Sequence, residues 1–371
     1  MPANRMNRDE FYAAMTPLDD ARLRKILWTV YWRGNASLRE RIEDELRPPE
    51  QPKIRQKKEP PDPAAVLAEV TTFVGLARDG AYMAGDRRVH HTERSKWRHT
   101  FRRLVADALA ALGASDPAPA QEAVAAMVDL AIAMKSYDYF HSDDPVEAAK
   151  FVVSDAVAAL WDSVLRHDGF AAFAGRVSAQ LVRWEADYGW TRRGYGQVAE
   201  RETELAVPLA RLLTTPDRWR TFAESYLAAL DEAGRTAPKR RSRTAYWFDD
   251  GSFRRKERTS DLATWHEMLL DRFAGSPEDE LLDRLTASPA LAGPDLTYLR
   301  AQIAERRGDV DGAAALVTKC LKELPGHSGC LNLAVRIGAE LPPRAREIVA
   351  ERARAAEHIR AAAASAKNIE T

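Results

Sequence analysis

The stretch Asp144-Pro145-Val146-Glu147 has the residue order with which α-helices begin. Proline fits the first helical position because the amide there would have no partner. The aspartate before it can accept hydrogen bonds from free amides, and an acid three residues past the cap can reach back. Similar starts, each followed by a run rich in alanine and leucine, predict helices along the whole chain. They lie at 16–19, 62–63, 116–117, 215–217 and 276–279.

The spacing of apolar residues also predicts helices. Between residues 18 and 32 the apolar positions include Leu23, Ile26, Leu27, Val30 and Tyr31, a spacing of three and four that covers one helical face. We find no strand-length run in which apolar and polar residues alternate. The fold class predicted is therefore all-α, built from packed helical hairpins.

Two segments are predicted to be linkers. Residues 48–63 are rich in proline, which favours an extended, solvated chain, and residues 235–258 are basic and irregular. These segments divide the chain into three helical parts. The predicted organisation is an N-terminal helical hairpin (1–47), a Pro-rich linker (48–63), a central helical domain (64–234), a basic aromatic linker (235–258) and a C-terminal helical domain (259–371).

Composition narrows the class of protein. The 371 residues include 55 basic and 55 acidic ones, so net charge gives no argument for nucleic acid or for an anionic membrane. Two cysteines form no disulfide framework, which is typical of a reducing cytoplasm. No apolar run approaches the roughly 18 residues that a membrane span needs. We predict a cytoplasmic protein without membrane contact, and its excess of arginine over lysine is typical of a GC-rich, bacterial genome.

Residues 294–325 read PDLTYLRAQIAERRGDVDGAAALVTKCLKELP and resemble a single tetratricopeptide repeat. In that resemblance Gly308 and Asp309 form the turn between two helices, and Ala313 lets the helices approach. The family's early Trp and Leu-Gly positions are met only by Tyr298-Leu299-Arg300. The resemblance implies stacked hairpins that bind a protein partner, with Tyr298, Arg300 and Arg307 as candidate contacts. The alternative is a helical hairpin without a ligand.

A basic stretch with aromatic residues covers residues 87–103. Arg94, Trp97, Arg98, Phe101 and Arg102 recur there at helical spacing. Because guanidinium groups pair with phosphates, this face is a candidate for nucleic-acid or anion binding. The alternative is a solvated basic helix that two aromatic residues anchor in the core.

Two further segments combine basic and aromatic residues. Basic charge for the backbone and rings for the bases is the composition that single-stranded nucleic acid binding uses, although a mobile linker can share it. In residues 238–258 the candidate contacts are Arg240, Arg241, Arg243, Tyr246, Trp247, Arg254 and Arg255. In the glycine-rich stretch 188–196 they are Trp190, Arg192, Arg193 and Tyr195, unless these residues form an ordinary loop between helices.

Histidine and carboxylate patterns offer two metal hypotheses. His141 and the later pair His167-Asp168, in a helical chain, resemble the HD metal-dependent phosphohydrolases, whose imidazole and carboxylate ligands converge on a metal. Cys320, His327 and Cys330 are ligands that zinc accepts, but they are only three, and a cysteine on an apolar helical face can act as a small hydrophobic residue. The prediction is no cofactor.

The function predicted from these patterns is a non-enzymatic helical scaffold or protein-interaction protein. The first alternative is a nucleic-acid-binding protein that uses the stretches 87–103 and 238–258. The second alternative is an HD-like metal-dependent phosphohydrolase.

Overall fold

The computed structural model describes residues 8–34, 38–39, 42–43, 46, 60–83, 85–188, 195–235 and 251–367. Over these ranges the chain forms helices and no strand, which confirms the all-α prediction. No helix in these ranges is both long and apolar enough to span a lipid bilayer. The helices are α1 (Arg8–Met15), α2 (Asp20–Arg33), α3 (Pro63–Arg78), α4 (His91–Ser95), α5 (Trp97–Ala111), α6 (Ala118–Ala133), α7 (Pro145–Ala149), α8 (Val153–Tyr188), α9 (Gln197–Arg201), α10 (Ala206–Leu212), α11 (Pro216–Arg235), α12 (Ser252–Asp261), α13 (Ala263–Phe273), α14 (Glu280–Ala287), α15 (Pro294–Arg306), α16 (Val310–Glu323), α17 (Ser328–Ile337) and α18 (Pro343–Lys367).

The chain divides into two compact units, residues 1–59 and 60–371. The first unit contains α1 and α2, and the second contains α3 to α18. Residues 48–59 of the predicted proline-rich linker and residues 236–250 of the predicted basic linker lie outside the described ranges. Residues 252–258 of the basic segment belong to α12, because helical hydrogen bonding begins directly after the turn at Gly251.

Acidic side chains cap several helices close to the predicted starts. Asp62 and Asp144 accept hydrogen bonds from amides in the first turns of α3 and α7. The start predicted at Thr16 differs, because Thr16 donates both its amide and its hydroxyl to the carbonyl of Tyr12 and so extends the end of α1. Asp19 therefore caps α2 instead, three residues later.

Helix α8 lies at the centre of the second unit. It packs against α5, α6, α10, α11 and α12 and breaks at Gly169, where the backbone has φ 79° and ψ 171°. Its two buried indoles find acceptors: Trp161 donates to Gln180 Oε1 at 2.9 Å and Trp184 donates to Asp129 Oδ1 at 2.8 Å. One cluster of buried apolar side chains extends from Val66 to Ile303, so the residues on both sides of the predicted basic linker share a core.

Three glutamates accept hydrogen bonds from helix-start amides that are distant in sequence. Glu202, which is 8% exposed, accepts from the amides of Val153 at 2.6 Å and Ser154 at 3.0 Å, where α8 begins. Glu147 accepts from the first two amides of α9 in the same way. Glu185 accepts from the amide that precedes α10. Since a buried amide without an acceptor costs free energy, these carboxylates fix where the helices begin relative to one another.

A buried histidine lies in the core near Trp265. His266 is 2% exposed, and its Nε2 lies 2.8 Å from the hydroxyl of Tyr226, within hydrogen-bonding distance. Burial lowers the pKa of His266 from 6.5 to about 3. The imidazole is therefore neutral in the folded protein at neutral pH.

Replacing Glu202 with alanine is expected to lower the free energy of unfolding by about 2–4 kcal/mol, because two buried amides at the start of α8 lose a charged acceptor. Denaturant unfolding followed by circular dichroism measures the change. Glu200→Ala is the matched control, since Glu200 is an exposed acid on neighbouring α9. Equal losses in the two variants would contradict the capping role of Glu202.

The free energy of unfolding is also expected to decrease as the pH is lowered, because of His266. Between pH 6.5 and about 3 the imidazole of His266 is protonated in the unfolded chain but neutral in the folded one. The unfolded state therefore binds more protons in this range. The contribution is complete above pH 6.5 and is lost by about 1.4 kcal/mol per pH unit below it. His266→Gln keeps a hydrogen-bonding side chain near Tyr226 but has no group that is protonated in this pH range. Unfolding free energies measured from pH 7.5 to 4.5 should therefore slope less in the variant, and parallel slopes would contradict the assignment.

Candidate functional sites

Two cysteines and a histidine converge where three helices meet. Cys320 lies one turn before the end of α16, His327 precedes α17, and Cys330 lies in the first turn of α17. Their ligand atoms all lie within 4.8 Å of one another. Among the residues that the structure describes, this is the one group of three or more potential metal ligands in mutual reach.

Hydrogen bonds fix the orientation of His327. Its Nδ1 accepts from the amide of Cys330 at 3.0 Å, so the ring proton lies on Nε2, which donates to Asp295 Oδ1 at 3.0 Å. The ring of Tyr298 packs against the imidazole with 5.0 Å between ring centroids. Gly329 makes this packing possible, because a Cβ there would lie 2.5 Å from Tyr298 Cζ. The imidazole is therefore held on three sides by α15 and α17.

Burial and charge distinguish the members of this cluster. Both cysteines are fully buried, whereas the side chains of His327 and Asp295 are 10% and 32% exposed. The hydrogen bond with Cys330 lowers the pKa of Cys320 and raises that of Cys330, because two adjacent thiols share one interaction. The hydrogen bond with Asp295 raises the pKa of His327.

The cluster has donors suited to a soft or borderline metal ion. Thiolate and imidazole are preferred zinc ligands, and a carboxylate that binds the second imidazole nitrogen is a common partner in such sites. A role for Cys320 as a nucleophile is not supported, because its sulfur has no exposed surface for a substrate to reach. Two thiols this close can also join in a disulfide, although they are free here.

The predicted C-terminal partner contacts are engaged within the chain. Tyr298 packs on His327 and against a small core cluster that extends from Ala301 to Ala345. Arg300 donates to the carbonyl of Thr286 at 2.6 Å. Arg307 donates to Asp279 Oδ2 at 2.7 Å and also pairs with Asp283, so it ties α15 to the segment around α14. Contact of these three residues with a protein partner stays a prediction.

The first basic stretch is partly buried. Trp97 is 4% exposed and stacks on Phe140 with 4.2 Å between ring centroids, so its ring is not presented to a base. Arg94 donates to the carbonyl of Met83 at 2.9 Å, and Arg102 donates to the carbonyl of Ala148 at 3.1 Å. Arg98 is exposed. Phe101 is fully buried as well, so four of the five residues at helical spacing in this stretch have contacts within the protein.

The other basic and aromatic candidates are only partly within the described residues. Tyr195 is 98% exposed, Arg254 is exposed and Arg255 is half-buried on α12. Nucleic-acid binding by these segments stays a prediction. The candidates that lie outside the described residues are Trp190, Arg192, Arg193, Arg240, Arg241, Arg243, Tyr246 and Trp247.

The residues of the HD-like hypothesis do not form a cluster. His141, His167 and Asp168 are all exposed, and none belongs to the group of mutually close ligands found in the described ranges. Asp168 instead lies 3.7 Å from the guanidinium of Arg176. His167 and Asp168 lie directly before the break in α8 at Gly169.

An acidic surface pocket near α7 is explained by helix capping. Its lining includes Asp143, Asp144, Glu147 and Lys135. Asp144 caps α7, and Glu147 accepts from the amides that begin α9. Two of its acids are therefore already used by the fold.

The first unit presents a second candidate site, an aromatic surface on α2. Trp28 is 59% exposed and Trp32 is 67% exposed, and the two rings stack with 5.7 Å between centroids. Tyr31 also stacks on Trp28, at 5.6 Å. Within the described part of this unit no side chain from residue 11 onward is buried. Trp28 and Trp32 are four residues apart and so lie on one side of α2, and we call these two exposed, stacked rings the aromatic face.

No protein-family model matches this chain, and the comparison found no significant similarity to a curated protein or to a solved structure. The function proposed below therefore rests on the residues of the chain itself.

Replacing Gly329 with alanine is expected to push the Tyr298 ring off His327 and to lower the free energy of unfolding by about 1–3 kcal/mol through overpacking. The higher helix propensity of alanine offsets at most about 1 kcal/mol of this loss. Gly326→Ala is the matched control, because the nearest atom to its added Cβ lies at 3.8 Å. Equal stability of the two variants in denaturant unfolding would show that the Tyr298 ring moves aside at no cost.

Proposed function

We propose that this chain is a non-enzymatic helical interaction protein that self-associates through the aromatic face of α2. The observation that supports this proposal is the exposure of two stacked tryptophan rings, Trp28 and Trp32, on one side of α2. Three further apolar side chains, Ile26, Leu27 and Val30, are exposed elsewhere around the same helix. Exposed apolar patches of this kind mark surfaces that another molecule covers, whereas single exposed apolar residues are ordinary.

The aromatic face has the composition of an energetic centre of an interface. Tryptophan and tyrosine bury large areas at a small entropic cost, and a few such residues supply most of the binding free energy in protein complexes. The unit of residues 1–59 is also small. Units of this size bury a limited core, and association with a second chain is one way in which they gain it.

The charges on α2 favour a second copy of the same helix as the occupant. Asp20 begins the helix and Arg33 ends it, so in an antiparallel pair centred between Ile26 and Leu27 the aspartate of one copy and the arginine of the other would lie at the same end of the pair, whereas a parallel pair would bring like charges together. In the same arrangement Lys25 would lie opposite Trp28, which allows a cation–π contact. An identical patch on both copies is what a twofold interface requires.

A dimer formed through α2 would carry two copies of the second unit, residues 60–371. In each copy α15 packs against α16, and Leu299 and Ala313 are buried. The tetratricopeptide resemblance of this segment remains a prediction. The proposal therefore includes a protein partner for the surface of α15 to α18. Pairing two such surfaces raises the avidity for a partner that carries two binding segments.

Replacing both Trp28 and Trp32 with alanine is expected to weaken self-association by at least about 30-fold, because two central aromatic side chains are lost. Sedimentation velocity of the full chain over a range of concentrations measures the monomer–dimer equilibrium. Phe253→Ala is the control, since Phe253 is 63% exposed but lies on α12 of the second unit. A wild-type chain that stays monomeric at every concentration would contradict self-association. If that chain also binds lipid vesicles, the aromatic face is a membrane-binding surface instead.

A charge exchange tests the antiparallel arrangement. Asp20→Arg and Arg33→Asp should each weaken the dimer by placing like charges at the same end of the antiparallel pair, and the double variant should recover most of the loss. The same sedimentation assay measures all three. Asp217→Arg, on α11 of the second unit, is the control for a change in net charge. Additive losses in the double variant would contradict the antiparallel pairing while leaving the role of the tryptophans intact.

A further inference from the structure

We propose that Cys320, His327 and Cys330 bind one Zn²⁺ ion at the junction of α15, α16 and α17, with Asp295 holding His327 in the ligating orientation. The site lies in the second unit and is independent of the proposed self-association. It would join the end of one hairpin to the beginning of the next.

The positions of the ligand atoms are close to those of a bound state. With Zn–S bonds of about 2.3 Å and Zn–N bonds of about 2.0 Å, tetrahedral ligands lie about 3.5–3.8 Å from one another. The three ligand atoms here lie within 4.8 Å of one another, so each distance must shorten by at most about 1.3 Å to complete the set. Side-chain rotation can supply such a movement without a change in the helices.

The tautomer of His327 identifies its ligating atom. Nε2 carries the proton and donates it to Asp295, which leaves the lone pair on Nδ1. At present that lone pair accepts from the amide of Cys330, and the metal ion would replace the amide as its partner. A carboxylate that holds the distal imidazole nitrogen orients the ring and raises its basicity, as in many zinc sites.

Burial at the site favours a metal ion over other chemistry. Both sulfurs are enclosed, so a macromolecular or organic substrate cannot reach them, whereas an ion can enter beside the partly exposed His327 and Asp295. Three protein ligands leave the fourth position to water, which reaches the site from the same exposed side.

Proton balance gives an independent measure of binding. Two neutral thiols must each lose a proton to become ligands, so binding of one Zn²⁺ ion releases up to two protons to the buffer. The imidazole binds as the neutral form and adds none when it is unprotonated beforehand. Binding to the folded chain should also raise its melting temperature as the free metal concentration rises.

The test uses the full chain, reduced and freed of metal by a chelator, and Co²⁺ as the spectroscopic probe. We expect one Co²⁺ per chain, with a thiolate-to-cobalt charge-transfer band and the visible bands of a tetrahedral centre, and their loss when Zn²⁺ displaces the probe. Because the chain contains two cysteines in all, a thiolate band can come from this cluster alone.

Variants separate ligands from bystanders. Cys330→Ser should abolish the charge-transfer band or reduce it to that of one thiolate. Asp295→Asn keeps all three ligands and should bind 10- to 100-fold more weakly, as is typical when the partner of a ligating imidazole is altered. His141→Gln removes an exposed histidine elsewhere and should leave both the band and the affinity unchanged. Circular dichroism of each variant verifies that the helices are intact, and Asp295→Asn supplies the test if the buried serine does not fold.

Two outcomes would overturn the metal site. The first is a folded chain with two titratable thiols that gives no charge-transfer band at any Co²⁺ concentration. The second is a reduced chain that takes up no metal but forms a Cys320–Cys330 disulfide in mild oxidant, which would make the cluster a dithiol redox centre. The metal experiments can be interpreted even if the Trp28 and Trp32 variants fail to dimerise, because those two residues lie in the first unit and the metal site lies in the second.

Discussion

The beginning of α8 depends on one carboxylate, and much of the second unit is arranged around that helix. The first amides of any helix have no partner within it, and in the protein interior they need an acceptor from elsewhere. Glu202 supplies that acceptor to Val153 and Ser154 from the end of α9, 49 and 48 residues further along the chain. Since α8 contacts five other helices, fixing its start also fixes the position of its buried indoles against them.

The sequence predicted the helices well because their signals are local. Asp62 and Asp144 lie beside the amides that they cap, so a few adjacent residues contain the whole interaction. Thr16 showed the limit of the pattern, because the end of α1 uses Thr16 before α2 can. Glu202 could not be predicted as a cap, since nothing in its neighbourhood indicates an acceptor for amides so distant in the chain.

The same distinction applies to the candidate sites. The spacing of Cys320, His327 and Cys330 revealed the ligand types, but their convergence depends on the approach of α16 to α17, and Asp295 comes from a third helix. The mixture of basic and aromatic residues at 87–103 was ambiguous in sequence, and Trp97 there is buried in the core. No sequence pattern had singled out Trp28 and Trp32, which are exposed. Composition gives no measure of burial, because burial depends on which helices pack against each ring.

The break in α8 shows how handedness alone can restrict a position. Open space surrounds Gly169, since an added Cβ would meet no atom within 4 Å, yet its φ of 79° is disfavoured for an L-amino acid. Lack of space for a side chain is therefore not the reason for glycine at position 169. A D-alanine has the mirror-image preference, so a semisynthetic chain with D-alanine at 169 should retain the bend and also lose conformational entropy in the unfolded state. The requirement at this point of the fold is one of chirality.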